Sequence, residues 1–285
     1  MTARRVTTNS PEYPELLRQT QPPVPAYWIR GTALTELQPA VAIVGPRNPT
    51  PYGLEIGREL AKGFARAGVT VVSGMARGVD AAAHEAALAA GGTTVAVLGS
   101  GIDVPYPAHN TRLFDAIAEH GAVVTEQKPG TPAFRANFPR RNRIIAGLSL
   151  AVVVVQAARR SGTLSTAAHA RENNRDVFAV PGDVRSPLSE GVHALIRDGA
   201  GLCESACDVL EGLGLPVRAH ADGVVPAGLA ATEQLVWRAL DQAPADVATV
   251  ARSAGLAKST AERALAGLEL IGLVRRTKGE TYKRA

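Results

Sequence analysis

Between residues 40 and 200, short β-branched runs alternate with alanine-rich stretches of helical period, the pattern of βαβ units forming a parallel sheet covered on both faces. The strand candidates are Val41–Val44, Val69–Val72, Val95–Leu98, Ala122–Thr125, Ala151–Val155 and Val177–Val180. Helical stretches such as Gly53 to Ala67 and Asp80 to Ala90 separate them, closed by Gly68 and Gly91 where a helix C-terminus favours glycine. Residues 1–39 are proline-rich and read as an extended lead-in packed on the sheet. After Gly214 the pattern changes. Residues 215–228 carry two prolines and no helical period, which marks a linker. Three short helices follow, Thr232–Asp241, Asp246–Ser253 and Ser259–Leu270, with Gly255 in a turn and a hairpin from Leu273 to Lys283 that reverses near Gly279. That order is a winged helix-turn-helix. The expected fold is α/β, a doubly wound and mostly parallel sheet over 1–214, then the linker over 215–228 and a small C-terminal winged-helix domain over 229–285.

The length of 285 residues, 46% hydrophobic and 20% charged, suits two domains. No run approaches the roughly 20 apolar residues of a membrane span, and the start lacks a signal-peptide core, so the expectation is a soluble cytoplasmic protein without a membrane span. Cys203 and Cys207, spaced i,i+4 on what reads as one helix, offer neither a disulfide framework nor a zinc site and read as small apolar residues. No metal or cofactor is expected.

The net charge of +5 is concentrated. Lys128, Arg135, Arg140, Arg141, Arg143, Arg159 and Arg160 fall in a stretch without Asp or Glu, and the rest of the chain, 24 basic against 26 acidic residues, is net −2. A focused basic stretch suits a polyanion.

Three strand ends carry loops suited to anions, because helix N-termini beyond the carboxyl ends of parallel strands present free N–H groups. The first, 44–50, holds Gly45, expected to let the backbone approach a ligand, and Arg47; it lacks the glycines of a dinucleotide fingerprint. The second, 73–80, holds Ser73, Gly74 and Arg77, with Asp80 as an expected N-cap. The third, 159–166, offers the Ser161, Gly162 and Thr163 cradle. Each also reads as an ordinary tight turn with a capping residue; three at one sheet edge favour phosphate binding. Beside them a basic loop, 134–143, interleaves Arg135, Arg140, Arg141, Asn142 and Arg143 with Phe138. Arginine forks grip phosphate and Phe138 can stack on an unpaired base or sit in the core. One or two of these arginines are expected to be structural, pairing with acids such as Glu126.

Signs of catalysis are few. Gly255 to Thr260 departs from a phosphate-binding P-loop, the six histidines have no metal-ligand spacing, and no nucleophile elbow occurs. His84 and His169, inside helices expected to face the site, are weak acid/base candidates. No catalytic residue is assigned.

Taken together, Tyr13–Leu17, Ile43–Arg47, Ser73–Asp80 with His84, Tyr106-Pro107 with Asn110, Phe138–Leu148, Ser161–Thr163 with Thr166-Ala167, and Val180–Gly182 resemble the DNA-processing protein A family (DprA, also called Smf) from Tyr13 to about Asp208. The resemblance implies an extended Rossmann-like fold for the doubly wound sheet and a non-enzymatic, sequence-independent single-stranded DNA-binding protein working as a homodimer. It would protect strands arriving in natural transformation and help load the RecA recombinase past single-strand-binding protein. It carries DNA contacts onto Arg47, Arg135, Arg141, Asn142, Arg143, Ser161, Gly162 and Thr163. Pro46 stands where the family usually has a small hydroxylic residue. The C-terminal winged helix, with nine basic and six acidic residues over 232–285, can take duplex DNA or a protein through Lys258, Arg263, Arg275, Arg276 and Lys278. Two other readings are a nucleoside monophosphate phosphoribohydrolase, whose Pro-Gly-Gly signature is missing from the third loop, and an anion-sensing transcription regulator.

Overall fold

The computed structural model describes residues 2–216, 228–240, 245–277 and 281–284. The chain divides into two compact units, Met1–Val217 and Arg218–Ala285. The expected linker falls, from 217 to 227, outside the described residues, as do Lys278 and the hairpin turn near Gly279.

In the first unit the strands are β1 (Arg4–Thr7), β2 (Ala26–Gly31), β3 (Ala40–Val44), β4 (Thr70–Ser73), β5 (Thr94–Val97), β6 (Ala122–Thr125), β7 (Ala151–Val154), β8 (Asp176–Ala179) and β9 (Gly201–Leu202). They form one sheet in the order β1-β2-β6-β5-β4-β3-β7-β8-β9. From β6 to β9 neighbouring strands run parallel. Every residue of β3, β4, β5, β6 and β7 is buried, which is why these strands read as continuous apolar runs and not as alternating ones.

The helices are α1 (Glu15–Arg18), α2 (Pro51–Arg66), α3 (Val79–Ala89), α4 (Thr111–His120), α5 (Asn137–Gly147), α6 (Thr163–Glu172), α7 (Glu190–Arg197) and α8 (Ala206–Gly212). One sheet face packs Val41, Ile43, Val71 and Val153 against Leu60 and Phe64 of α2, Val79 of α3 and Leu210 of α8. The other packs Ala42, Val72, Val95 and Val152 against Ile144 of α5, Ala167 of α6 and Val192 of α7. Strand order turns back between β3 and β7, the topological switch point at which open α/β sheets bind ligands.

Three expectations need correction here. The lead-in contributes strands: β2 alternates buried Tyr27 and Ile29 with more exposed neighbours and pairs antiparallel with β6, while β1 pairs with β2, so the sheet gains an antiparallel edge. The basic loop is largely helix, because α5 starts at Asn137 and places Pro139 in the first turn, where a missing N–H costs nothing. Cys203 precedes α8 and only Cys207 lies on it; burial pushes the Cys203 thiol up to about 12.

The second unit contains α9 (Ala231–Ala239), β10 (Ala245–Asp246), α10 (Val247–Ala254), α11 (Lys258–Leu270), β11 (Val274–Thr277) and β12 (Thr281–Arg284), the winged-helix order. The turn between α10 and α11 rests on Gly255 in the left-handed region at φ +67. Its core gathers Val236, Trp237, Val250, Leu265 and Leu268. Arg284 is buried there, its guanidinium 4.7 Å from the Trp237 ring centroid and bonded to the Trp237 carbonyl. Among the described residues no helix is long and apolar enough to cross a membrane.

Candidate nucleic-acid interface

A cleft of about 780 Å³ lies over the carboxyl ends of β3 and β7. Its lining includes Gly45 and Arg47 after β3, Asp80 at the start of α3, Tyr106, Arg135 before α5, Phe138, Arg141 and Asn142 on α5, and Arg160, Ser161 and Gly162 before α6 with Thr163 at its start. The switch point therefore joins all three predicted loops and the basic segment. Arg47, Arg135 and Arg160 are exposed, so three cations stand in solvent around one concavity.

The loops are held from beneath. Gln156, buried two residues beyond β7, accepts from the Thr50 backbone N–H at 3.1 Å and donates to the Thr50 hydroxyl at 2.9 Å. Thr50 in turn caps α2 by accepting from the Gly53 N–H. This pins the Arg47 loop to the neighbouring strand. On its other side, Gly78 sits at φ +88 with the Pro46 and Arg47 carbonyls 2.5 and 2.7 Å from where a Cβ would project, so only glycine lets the first and second loops meet. Gly45 serves packing in the same way: its Cβ would lie 2.5 Å from Val79, a contact with α3 where close approach to a ligand was expected.

Arg141 and Arg143, two residues apart, both point inward. Arg143 makes a two-pronged pair with Glu126 at 2.7 and 3.2 Å, both side chains largely buried. Arg141, 5% exposed, donates Nη1 to the carbonyls of Gly74, at 2.6 Å, and Val97, closing the ends of β4 and β5, and Nε to Asn142 at 3.2 Å. Gly74 is glycine because a Cβ would meet that guanidinium at 2.5 Å. Burial lowers Arg141 to about 10, against the attraction of Asp80. Burial likewise raises Asp80 to about 6, opposed by the Arg141 charge and by the N–H groups of Ala76 and Gly74.

Asn142 reaches the third loop, donating Nδ2 to the Ser165 hydroxyl at 2.8 Å, which donates to the Gly162 carbonyl at 2.8 Å. Ser161 accepts from the Thr163 N–H at 3.2 Å. Gly162 has an ordinary helical backbone (φ −60) and open space where its Cβ would be, so nothing within the chain demands glycine there.

Several predicted contacts are thus structural. Arg141 and Arg143 hold strand ends and an acid, Asn142 braces the cradle, and Ser73 donates to the Ile43 carbonyl at 2.7 Å. Ser73, Gly74, Arg77, Arg140 and Arg143 lie outside the cleft lining; Arg77 and Arg140 are exposed, and Arg140 is on α5's solvent side. Asp80 is not the N-cap of α3, which is Gly78. His84 faces strand β5: its Nδ1 lies 2.6 Å from Thr94 Oγ1, which donates to the Val71 carbonyl, so Nδ1 carries the proton, and burial lowers its pKa to about 3. His169 pairs with Glu172 at the far end of α6. Sequence reasoning missed Gln156 and Tyr106 as site residues and named Arg160 only within the basic stretch and the third loop; a polar residue closing the most apolar strand run was the signal for Gln156.

In the second unit Lys258 and Arg263 are exposed on α11, and Arg275 and Arg276 on β11, with Arg276 5.7 Å from the Tyr282 ring centroid. Among the described residues no three His, Cys, Asp or Glu side chains converge as a metal site.

Known proteins are similar to this chain in sequence and fold. The family described as DNA recombination-mediator protein A matches residues 4–214, and the DprA winged helix domain matches 221–280. A Mycobacterium tuberculosis protein that carries the DprA name is 43% identical over 253 residues, 86% of this chain and 65% of its own length. The Streptococcus pneumoniae DNA processing protein DprA is 46% identical over 172 residues, 60% of this chain and 61% of that protein. The chain therefore spans less than two thirds of the length of these relatives. The X-ray structure of the S. pneumoniae protein superposes with a TM-score of 0.70 at 41% identity, covering 73% of each chain. A Helicobacter pylori DNA processing protein A, solved for its single-stranded DNA binding mode, superposes with a TM-score of 0.66 at 28% identity over 74% of this chain and 95% of its own. With a family match running through nearly all of the first unit and a second through the winged helix, the chain belongs to the DNA recombination-mediator protein A family.

Proposed function

We propose that the switch-point cleft binds single-stranded DNA without regard to sequence, through the exposed Arg47, Arg135 and Arg160 and the Ser161-Gly162-Thr163 amides. The observation that carries this is three solvent-facing arginines around one cleft, with the Arg47 loop pinned by buried Gln156 and the Arg160 loop braced by Asn142, so the cations are displayed and not consumed by internal pairing. The H. pylori relative's single-stranded DNA binding supports it. Two groups suited to proton transfer are held by the chain itself, Asp80 by backbone N–H bonds and His84 by Thr94, which supports a binding role over a catalytic one. In this reading the protein is cytoplasmic, acts as a homodimer, shelters incoming strands during transformation and passes them to RecA past single-strand-binding protein. Lys258, Arg263, Arg275, Arg276 and Lys278 of the winged helix supply contacts to duplex DNA or to a partner.

The test is fluorescence anisotropy of a labelled oligothymidine strand and a matched duplex at two salt concentrations, with nucleoside monophosphates as competitors. Tight, salt-weakened binding that favours the single strand and ignores monophosphates is expected. Absent strand binding with monophosphates bound or cleaved would replace this reading with a nucleotide enzyme.

A further inference from the structure

Phe138 is the aromatic ring that the sequence offers for base stacking, yet its surroundings are filled. The Arg47 guanidinium carbon lies 5.3 Å from its centroid and that of Arg141 5.9 Å. The Tyr106 ring packs against it at 5.4 Å, tilted by 46°. The Gly99 backbone closes another side, since a Cβ there would stand 3.0 Å from the ring. A base reaching Phe138 would have to displace a buried arginine, a tyrosine or the cation that neutralises phosphate.

Tyr106 presents the opposite case. It lines the same cleft, is 40% exposed, and among the described residues its hydroxyl has no hydrogen-bond partner. The other exposed tyrosine, Tyr52, is tied down, its hydroxyl donating to the Pro181 carbonyl at 2.8 Å. Phe134, before Arg135, is more exposed still at 57% but lies outside the cleft lining, so Tyr106 is the half-exposed ring that shares the concavity with the three unburied arginines. The arrangement is a ladder. Buried Arg141 supports Phe138, Phe138 supports both Arg47 and Tyr106, and the outermost members present one cation and one aromatic ring to the same space. A strand needs that combination, a phosphate partner next to a surface for the adjoining base.

We propose that Tyr106 is the base-stacking residue of the cleft and that Phe138 is its support, an inference that rests on the single-strand reading above. Stacking on a ring is tolerant of base identity, so Tyr106 would add affinity without adding sequence preference.

The experiment compares an oligothymidine strand with an abasic strand of the same length and charge, by anisotropy, for the wild-type chain, Tyr106→Phe and Tyr106→Ala. The wild type is expected to bind the thymidine strand about 5-fold or more tightly than the abasic one, the size of one base–aromatic stack. Tyr106→Phe should keep that ratio and Tyr106→Ala should abolish it while leaving abasic binding within about twofold, because phosphate contacts are untouched. Equal losses on both strands would overturn the proposal, since the ring would then act only by holding the loop. If Tyr106→Ala does not fold, wild type and Tyr106→Phe still decide: a wild type indifferent to the bases refutes stacking alone, whereas no binding to either strand refutes the single-strand reading and the stack with it. A 2-aminopurine placed in the strand should lose fluorescence on binding to the wild type and Tyr106→Phe; an unquenched signal contradicts the stack.

Discussion

Arg47 and Arg141 both approach the Phe138 ring, within 6 Å, and line one cleft, but replacing them should damage different properties. In Arg141→Met the apolar stem survives and the guanidinium is lost. The carbonyls of Gly74 and Val97 then lack their charge-assisted partner, and Asp80 lacks its nearby cation. Removing one member of a buried charged pair costs about 3–5 kcal/mol. Asp80 limits the loss: without Arg141 its pKa, already up to about 6, rises further, and at pH 7 it takes up a proton in place of an uncompensated charge. A figure near the lower end, about 3 kcal/mol, is therefore expected. With a urea dependence of about 2 kcal/mol per molar, the unfolding midpoint should fall by about 1.5 M. Trp28 packs in the cluster of Met75, Leu98 and Phe114 and reports on the first unit, and a Trp237→Phe background silences the second tryptophan, in the winged helix. Exposed Arg47→Ala should leave the midpoint unchanged within about 0.5 kcal/mol, weaken single-strand binding several-fold, and reduce the log–log salt slope by about 0.7, one phosphate contact. An Arg141→Met protein of near-normal midpoint whose affinity falls as much as that of Arg47→Ala would refute the assignment of Arg141 to the frame.

Asp80 also sets a pH dependence. Its folded pKa of about 6 exceeds the ordinary carboxyl value, so the folded chain holds the proton more tightly, and the stability this contributes is present below about pH 4 and lost as pH rises through 6, by about 3 kcal/mol in all. Urea midpoints of Asp80→Asn against wild type at pH 4.5, 5.5 and 7 should show the variant gaining on the wild type as pH rises, and parallel curves would contradict this. Glu126→Gln strands the buried Arg143 charge and should destabilise the first unit by about 3 kcal/mol while the folded protein binds strands as before, checked by urea unfolding and anisotropy. Gly162→Ala, with open space at its Cβ, should fold as well as wild type yet bind single strands more weakly if phosphate approaches that backbone. Gly74→Ala, forced against Arg141, should lose stability by calorimetry, and equal stability of these two alanine variants would contradict the packing described.

The parallel strands were legible in the sequence because burial on both faces leaves an uninterrupted apolar run, and Ala122–Thr125 was bounded to the residue. The winged-helix order was legible from helical period and from Gly255. The antiparallel edge was hidden, since the prolines between β1 and β2 masked the alternation of Tyr27 and Ile29 that makes β2 a strand. The start of α5 was hidden because Phe-Pro-Arg-Arg-Asn-Arg has no apolar period in its first turn.

For the cleft, the order of residues alone shows basic side chains and glycine-bracketed loops following parallel strands, which is local chemistry. Which arginines stay open to solvent around the cleft follows only from the folded chain. Arg141 and Arg143 differ from Arg140 in what lies opposite: carbonyls of Gly74 and Val97, 67 and 44 residues away along the chain, and Glu126 on the segment after β6. Arginine keeps its charge in any environment, so its identity says that an anion or carbonyl must be met but not whether the chain or a ligand supplies it. Only the packing of α5 over the strand ends, at the switch point between β3 and β7, settles that partition.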